Sequence, residues 1–166
     1  KLFYFFYKIL KIYRNNNPSS HYGEFGEDVF INRILKSINS GKYVDVGCYH
    51  PTHRNNTYLL HKQEWNGINI DTSEFSIDLF NHMRPKDLNY NCAISNKTEI
   101  IKLFYQKELS QLSTTESNQA KTVFQGNIKE KEIQAFTLDE ILNRGRFKNS
   151  KIDFLDVDVE GADLKV

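Results

Sequence analysis

Apolar residues recur along this chain in two rhythms, one helical and one extended. Phe30, Ile34 and Ile38 fall every four residues, with Ile31 and Leu35 beside them, and Gly41 closes the run. That is the stripe of an amphipathic helix and its stop. Tyr43-Val-Asp-Val46 is a short β-rich run that ends at Gly47. Residues 56–65 read as a helix with Tyr58, Leu59 and Leu60 turned inward, and residues 67–71 as a second strand. Glu74 to Met83 reads as a helix with Ile77, Leu79 and Phe80 apolar, and Pro85 follows its end. A third strand is expected over Leu88 to Ile94, and a further one over Ile100 to Tyr105. Ser110 to Asn127 is rich in Ser, Thr, Gln and Asn and reads as a loop with at most one helix. Ile133 to Phe136 is a short strand candidate. Thr137-Leu-Asp-Glu140 has the spacing of a capping box, in which the hydroxyl meets the third backbone N–H and the glutamate reaches back. Its helix runs through Leu142 and ends near Gly145. Ile152 to Glu160 alternates acidic and apolar residues, a last strand closed by Gly161.

Strands alternating with helices imply an α/β fold, a parallel sheet with crossover helices. No internal repeat interrupts it. Asn15-Asn-Asn-Pro-Ser-Ser20 has the composition of a linker. It separates an aromatic and basic opening, residues 1–20, from one domain over residues 21–166.

Composition narrows the class. The 166 residues are 39% hydrophobic and 26% charged, enough apolar surface for a core. A formal net charge of +1 gives no basic excess, so no nucleic-acid partner is expected. Cys48 and Cys92 are far apart and lack CxxC spacing, which argues against a disulfide framework or zinc site and suits a reducing, cytoplasmic setting. The opening run Lys1 to Tyr13 is too short and too interrupted by lysine to span a bilayer, and it lacks a signal-peptide cleavage site. Two readings of it stand. It is an interfacial helix with aromatics at headgroup level and Lys8 and Lys11 facing anionic lipid, or a terminal helix packed on its own domain or on another segment. The second is preferred, so membrane-surface contact through residues 1–13 is the lesser expectation.

Candidate chemistry gathers at strand ends. In a parallel sheet the ligand lies at the carboxyl ends of the strands, near the point where strand order reverses. Gly47 lets backbone approach a ligand closely, and Asp45 can hold an ammonium group. The second strand ends twenty-six residues after Asp45 in Asp71, where a carboxylate can accept hydrogen bonds from two ribose hydroxyls. No full GxGxxG is present, which argues against a pyrophosphate and for a nucleoside without phosphates. S-adenosylmethionine is such a ligand. Each acid alone is equally a loop-end carboxylate; the pair at this spacing is what suggests a site. In the last strand, Asp156, Asp158 and Glu160 share one face by period two. They either open into a cleft and face a cation, a sulfonium or a metal, or form the solvated face of an edge strand. His50 directly follows the first strand and is a candidate general base, though such a histidine is more often a structural loop residue. His50, His53 and His61 supply no HxxxH pair with a downstream acid, so a metal site is not expected.

The ordered motifs say more together. Gly23-Glu-Phe-Gly-Glu-Asp-Val-Phe-Ile31, Tyr43-Val-Asp-Val-Gly-Cys-Tyr-His-Pro51, Asn55-Asn-Thr-Tyr-Leu-Leu60 and Trp65-Asn-Gly-Ile-Asn-Ile-Asp71 come in turn. Asn91-Cys-Ala-Ile-Ser95, Thr137-Leu-Asp-Glu-Ile-Leu142 and Ile152-Asp-Phe-Leu-Asp-Val-Asp-Val-Glu-Gly161 complete the series. This series resembles the FkbM methyltransferase family from Gly23 onward. The resemblance implies a class I methyltransferase fold, a Rossmann-like parallel sheet with helices on both faces. It implies S-adenosylmethionine as methyl donor and a hydroxyl acceptor on a sugar, polysaccharide or secondary metabolite. The cofactor-binding positions it implies are Asp45, Gly47, Cys48, Asn56, Asp71 and Thr72. The catalytic candidates are His50, Asp158 and Glu160, with Asp158 and Glu160 beside the reacting methyl group. Two departures stand out. Cys48-Tyr-His-Pro51 replaces the second glycine common in such first loops. The family pattern also continues past the fourth main strand, where this chain ends, so the sheet is expected to lack one side. A side-chain base is preferred over a divalent metal that lowers the hydroxyl pKa. The rivals are a truncated nucleoside-binding remnant without turnover and, less favoured, an NAD-dependent oxidoreductase.

Overall fold

A computed structural model describes residues 2–14, 21–109, 113–115 and 117–159, without the side chains of 12–14. It is a mixed α/β structure with two four-stranded sheets. The first is wholly parallel and holds β1 (Lys42–Val46), β2 (Asn66–Asp71), β3 (Leu88–Asn91) and β8 (Phe154–Val157) in the order β3-β2-β1-β8. Val44 sits opposite Ile68 and Leu155, and Ile68 opposite Leu88. Alternation along each strand sorts the side chains onto two faces. Val44, Val46, Ile68 and Ile70 join Cys92, Ile94, Ile141 and Phe147 in one core. Tyr43, Asp45, Gly67 and Asn69 turn to the other face and are also buried. Both faces of this sheet are therefore covered, as parallel sheets require, but one of them is polar.

The second sheet has the order β4-β7-β5-β6. It is built from β4 (Ala93–Ile94), β5 (Glu99–Tyr105), β6 (Ser113–Thr114) and β7 (Lys129–Phe136). Only β4 and β7 run parallel; β5 pairs antiparallel with β6 and β7. Its core is Ala93, Leu103, Ile133 and Ala135. The expected parallel sheet is the first one; this mixed sheet is a second that the pattern did not announce. The run Leu88 to Ile94 is accordingly two strands in different sheets, parted at Cys92.

Six α-helices connect or flank the strands: α1 (Leu2–Arg14), α2 (Glu27–Ile34), α3 (Tyr58–Lys62), α4 (Glu74–Met83), α5 (Ser117–Val123) and α6 (Leu138–Leu142). α4 spans the residues its pattern predicts, capped by Ser73, whose Oγ accepts the Ser76 N–H at 3.1 Å. α6 carries the full capping box, Thr137 Oγ1 accepting from the Glu140 N–H at 3.2 Å and Glu140 from the Thr137 N–H at 3.1 Å. α3 is half as long as expected, because Asn55 to Thr57 form a turn rather than a first helical turn. In α2 the expected stripe is rotated. Ile31, Leu35 and Ile38 pack on Tyr43, Leu60 and Trp65, while Phe30 and Ile34 are 68% and 62% exposed. The polar segment after β5 contributes β6 and α5; its residues 110–112 and 116 lie outside the described ones. The last strand stops at Val157, three residues short of its expected end, which leaves Asp158 beyond the ladder. Glu160 lies outside the described residues.

Candidate functional site

A cleft of about 250 Å³ opens at the carboxyl ends of β1, β2 and β8. One wall is Val46, Gly47, Ile70, Asp71 and Thr72; the other is Ala93, Ile94, Ile101 and Leu103 of the second sheet, with Ser113 to Thr115 at its lip. Asp158 and Val159 close it beside β8, and Tyr49 beside β1. The cleft is thus half apolar slot and half polar rim, the usual make-up of a small-molecule site.

Gly47 bends the chain out of β1 at φ +85°. Its N–H and that of Cys48 both reach the Ile70 carbonyl, at 2.9 and 3.1 Å. A Cβ at this position would strike the Asp158 carbonyl, so only glycine lets the two strand ends close up. The Asp158 N–H in turn donates to the Val46 carbonyl at 2.9 Å. Asp71, at the tip of β2, accepts the Tyr49 N–H on one carboxylate oxygen at 2.8 Å and the Ser73 N–H on the other at 2.7 Å. Burial pushes its pKa up to about 6 against the pull of those two hydrogen bonds. Thr72 lines the cleft beside it, its carbonyl accepting from Lys131 Nζ at 2.7 Å.

Four of the expected site residues, Gly47, Asp71, Thr72 and Asp158, therefore meet at one cavity. Others stand behind it. Asp45 is 3% exposed and lies under the strand tips. One of its oxygens accepts from Thr57 Oγ1 at 2.7 Å and from Asn55 Nδ2 at 3.0 Å. Cys48 packs against Ile77 and Phe80, and burial pushes its thiol pKa up. Asn56 is half-buried and faces Asp156. His50 is 5% exposed, off the cleft, with Nδ1 3.2 Å from the Thr52 N–H. Burial, then the neighbouring His53 and Lys8, push its pKa down to about 3, so the ring is neutral at pH 7.

A family model described as the methyltransferase FkbM domain matches residues 45–166. The chain belongs to the FkbM methyltransferase family. The match begins at Asp45 and so leaves out the Gly23 to Ile31 segment that the motif series included. No curated protein and no solved structure matches it.

The FkbM domain also holds a polar network that the sequence did not disclose. Arg84, fully buried just past α4, donates from Nη1 to Thr57 Oγ1 at 2.9 Å and Tyr43 Oη at 3.0 Å. Its Nη2 donates to Asn55 Oδ1 at 2.7 Å and the Pro51 carbonyl at 2.5 Å. Tyr43 Oη donates to Asp87 at 2.6 Å, and Asp87 also accepts from the Gly67 N–H at 2.9 Å and Asn69 Nδ2 at 3.2 Å. Burial pushes Asp87 up, but its hydrogen bonds and the Arg84 charge outweigh that and hold its pKa below the usual carboxylate range. One cation thus serves two buried acids, Asp45 and Asp87, and fixes the loop that carries Asn55 and Thr57. Hydrophobic periodicity marks neither Arg84 nor Asn55, since burial of a polar residue depends on partners from distant elements. The cleft's second wall was equally hidden, because it needs the strand break at Cys92.

Proposed function

We propose that this FkbM domain transfers a methyl group from S-adenosylmethionine to a hydroxyl on a sugar, polysaccharide or secondary metabolite, on a class I, Rossmann-like sheet. The strand order β3-β2-β1-β8 supports that fold, since it is the reversal at the first strand that creates a ligand crevice at the strand tips. The reading rests above all on Asp71. Each of its oxygens already accepts one backbone N–H, which fixes the carboxylate and leaves lone pairs for two vicinal hydroxyls of a ribose. Gly47 brings bare backbone to the cleft beside it, and Ile70, Ile94 and Leu103 offer apolar surface to a flat base. These features fit a nucleoside.

The bound cofactor would supply a methyl group on a positively charged sulfur, already activated for in-line displacement. The protein then has to align the acceptor, exclude water and take one proton. Asp158 lines the cleft together with Asp71 and Glu24, and in this reading Asp158 takes that proton and faces the positive charge. His50 is buried and does not line the cleft, which favours Asp158 over it for that role. A side-chain base is the preferred route, since Asp158 stands at the cleft. Ser113 to Thr115 carry the polar segment to the cleft lip, where they would meet a hydroxylated acceptor.

Calorimetry with S-adenosylhomocysteine and with NAD tests the reading. Micromolar binding of the first and none of the second is expected; the reverse would replace methyl transfer with hydride transfer.

A further inference from the structure

The helix α1 covers the domain with only part of its circumference. Phe5 and Ile9 pack on Phe75, Leu79 and Leu109, and the Phe5 and Phe75 rings meet edge to face at 5.8 Å. The opposite side carries Leu2, Phe3, Phe6, Tyr7 and Leu10, between 52% and 87% exposed. At 100° per residue these five form one continuous stripe. A soluble surface rarely presents so many large apolar side chains together. Along the segment itself the charge has a single sign. Lys1, Lys8, Lys11 and Arg14 fall within the first fourteen residues, and the first acid is Glu24. Lys11 is exposed and lies next to the stripe, while Lys8, over the Tyr4 ring at 5.5 Å, is half-buried on the domain side. Burial, then Arg54 and then the two lysines hold His53 in the neighbouring loop below its ordinary pKa.

We propose that the exposed face of α1 docks the domain onto an anionic lipid surface, with Phe3, Phe6 and Leu10 entering the headgroup boundary and Lys11 beside them meeting lipid phosphates. An apolar stripe in a segment with four cations and no acid is complementary to that surface. The helix lies on the bilayer and does not cross it. Its thirteen residues span about 20 Å, against about 30 Å of hydrocarbon, and among the described residues no helix is long and apolar enough to cross. Tyr49, which packs against the Ile9 and Phe75 cluster, also lines the cleft. Docking would therefore leave only the width of α1, about 10 Å, between Tyr49 and the lipid surface. The proposal stands independently of which methyl donor or acceptor the cleft takes.

Cosedimentation of the protein with vesicles of phosphatidylcholine, alone or mixed with phosphatidylserine, tests it. Binding is expected to the mixed vesicles, to weaken as salt is raised, and to be lost in the triple variant Phe3→Ser/Phe6→Ser/Leu10→Ser. The single variant Lys11→Glu, which leaves the apolar stripe intact, should lower affinity at least about fivefold with an unchanged melting temperature. Absence of binding, or equal binding to both vesicle types, overturns the proposal. So does a concentration-dependent dimer that the triple variant abolishes, since the face would then belong to a second copy of the chain.

Discussion

At Asp71 two backbone hydrogen bonds favour the carboxylate, yet burial still pushes the acid up to about 6. A folded-state pKa above the unfolded one means that the empty protein is stabilised by this group below about pH 4. That contribution is lost as pH rises through about 6. Hydroxyl donors prefer the ionised form. Affinity for S-adenosylhomocysteine should therefore climb between pH 5 and 7, and Asp71→Asn should flatten the climb and cost about 1–3 kcal/mol of binding at neutral pH. Calorimetry across that range checks it; an Asn variant that binds as well as the parent removes the ribose assignment. Asp156 follows the same sign. It lies opposite Asp45 in the β1–β8 register, and burial and then that neighbouring charge push it up to about 7. Ionising it strains the fold. Asp156→Asn should raise stability at pH 8 by about 1 kcal/mol or more, read as an increased melting temperature, and should change little at pH 4.

Among the elements, α4 does more than cover β2 and β3, because the residue just past its end is Arg84. Substituting Arg84→Met leaves its buried acceptors on Thr57, Tyr43, Asn55 and Pro51 without their donor and removes a charge near Asp45 and Asp87, which should cost about 3 kcal/mol or more. Arg84→Lys should not restore stability, since one ammonium cannot replace two donors pointing to Thr57, Tyr43, Asn55 and Pro51. Urea unfolding of both variants tests this. How far each element was legible follows from what fixes it. α4 and the α6 cap depend on local signals, an apolar stripe and a Thr–Glu pair, and both formed as read. β1 and β2 were legible because short β-rich runs ending at glycine or aspartate have few alternatives. The break at Cys92 was not, because no glycine or proline marks it and only pairing with Ala135 and Phe136 draws Ala93 and Ile94 away. Phe30 and Ile34 share a helical period with Ile38, but the partners Tyr43, Leu60 and Trp65 chose Ile31 and Leu35 instead. Of the site, the strand-tip residues were readable and the residues that brace them were not.

At the scale of the whole molecule the cleft lies between two sheets, so a ligand within it touches both. Saturation with S-adenosylhomocysteine should slow amide hydrogen exchange at Ile70 and Asp71 and also at Ile101 and Leu103, which are remote in sequence. α2, which has no part in the cleft, should exchange as before. Protection confined to the parallel sheet would place the ligand elsewhere. The walls are joined most tightly at Cys92, where Asn91 ends a strand of one sheet and Ala93 begins a strand of the other. β4 is the edge next to this joint, and β6 is the opposite edge of the same sheet. The two walls thus work like the jaws of a vise pinned at one end. Jaw spacing near Cys92 is set by the one residue that joins Asn91 to Ala93, while Ser113 to Thr115 stand at the far edge of the second sheet, away from that joint. Variants that accept bulkier molecules should arise at that outer lip, and substitutions near the pin should be tolerated only when they preserve its width.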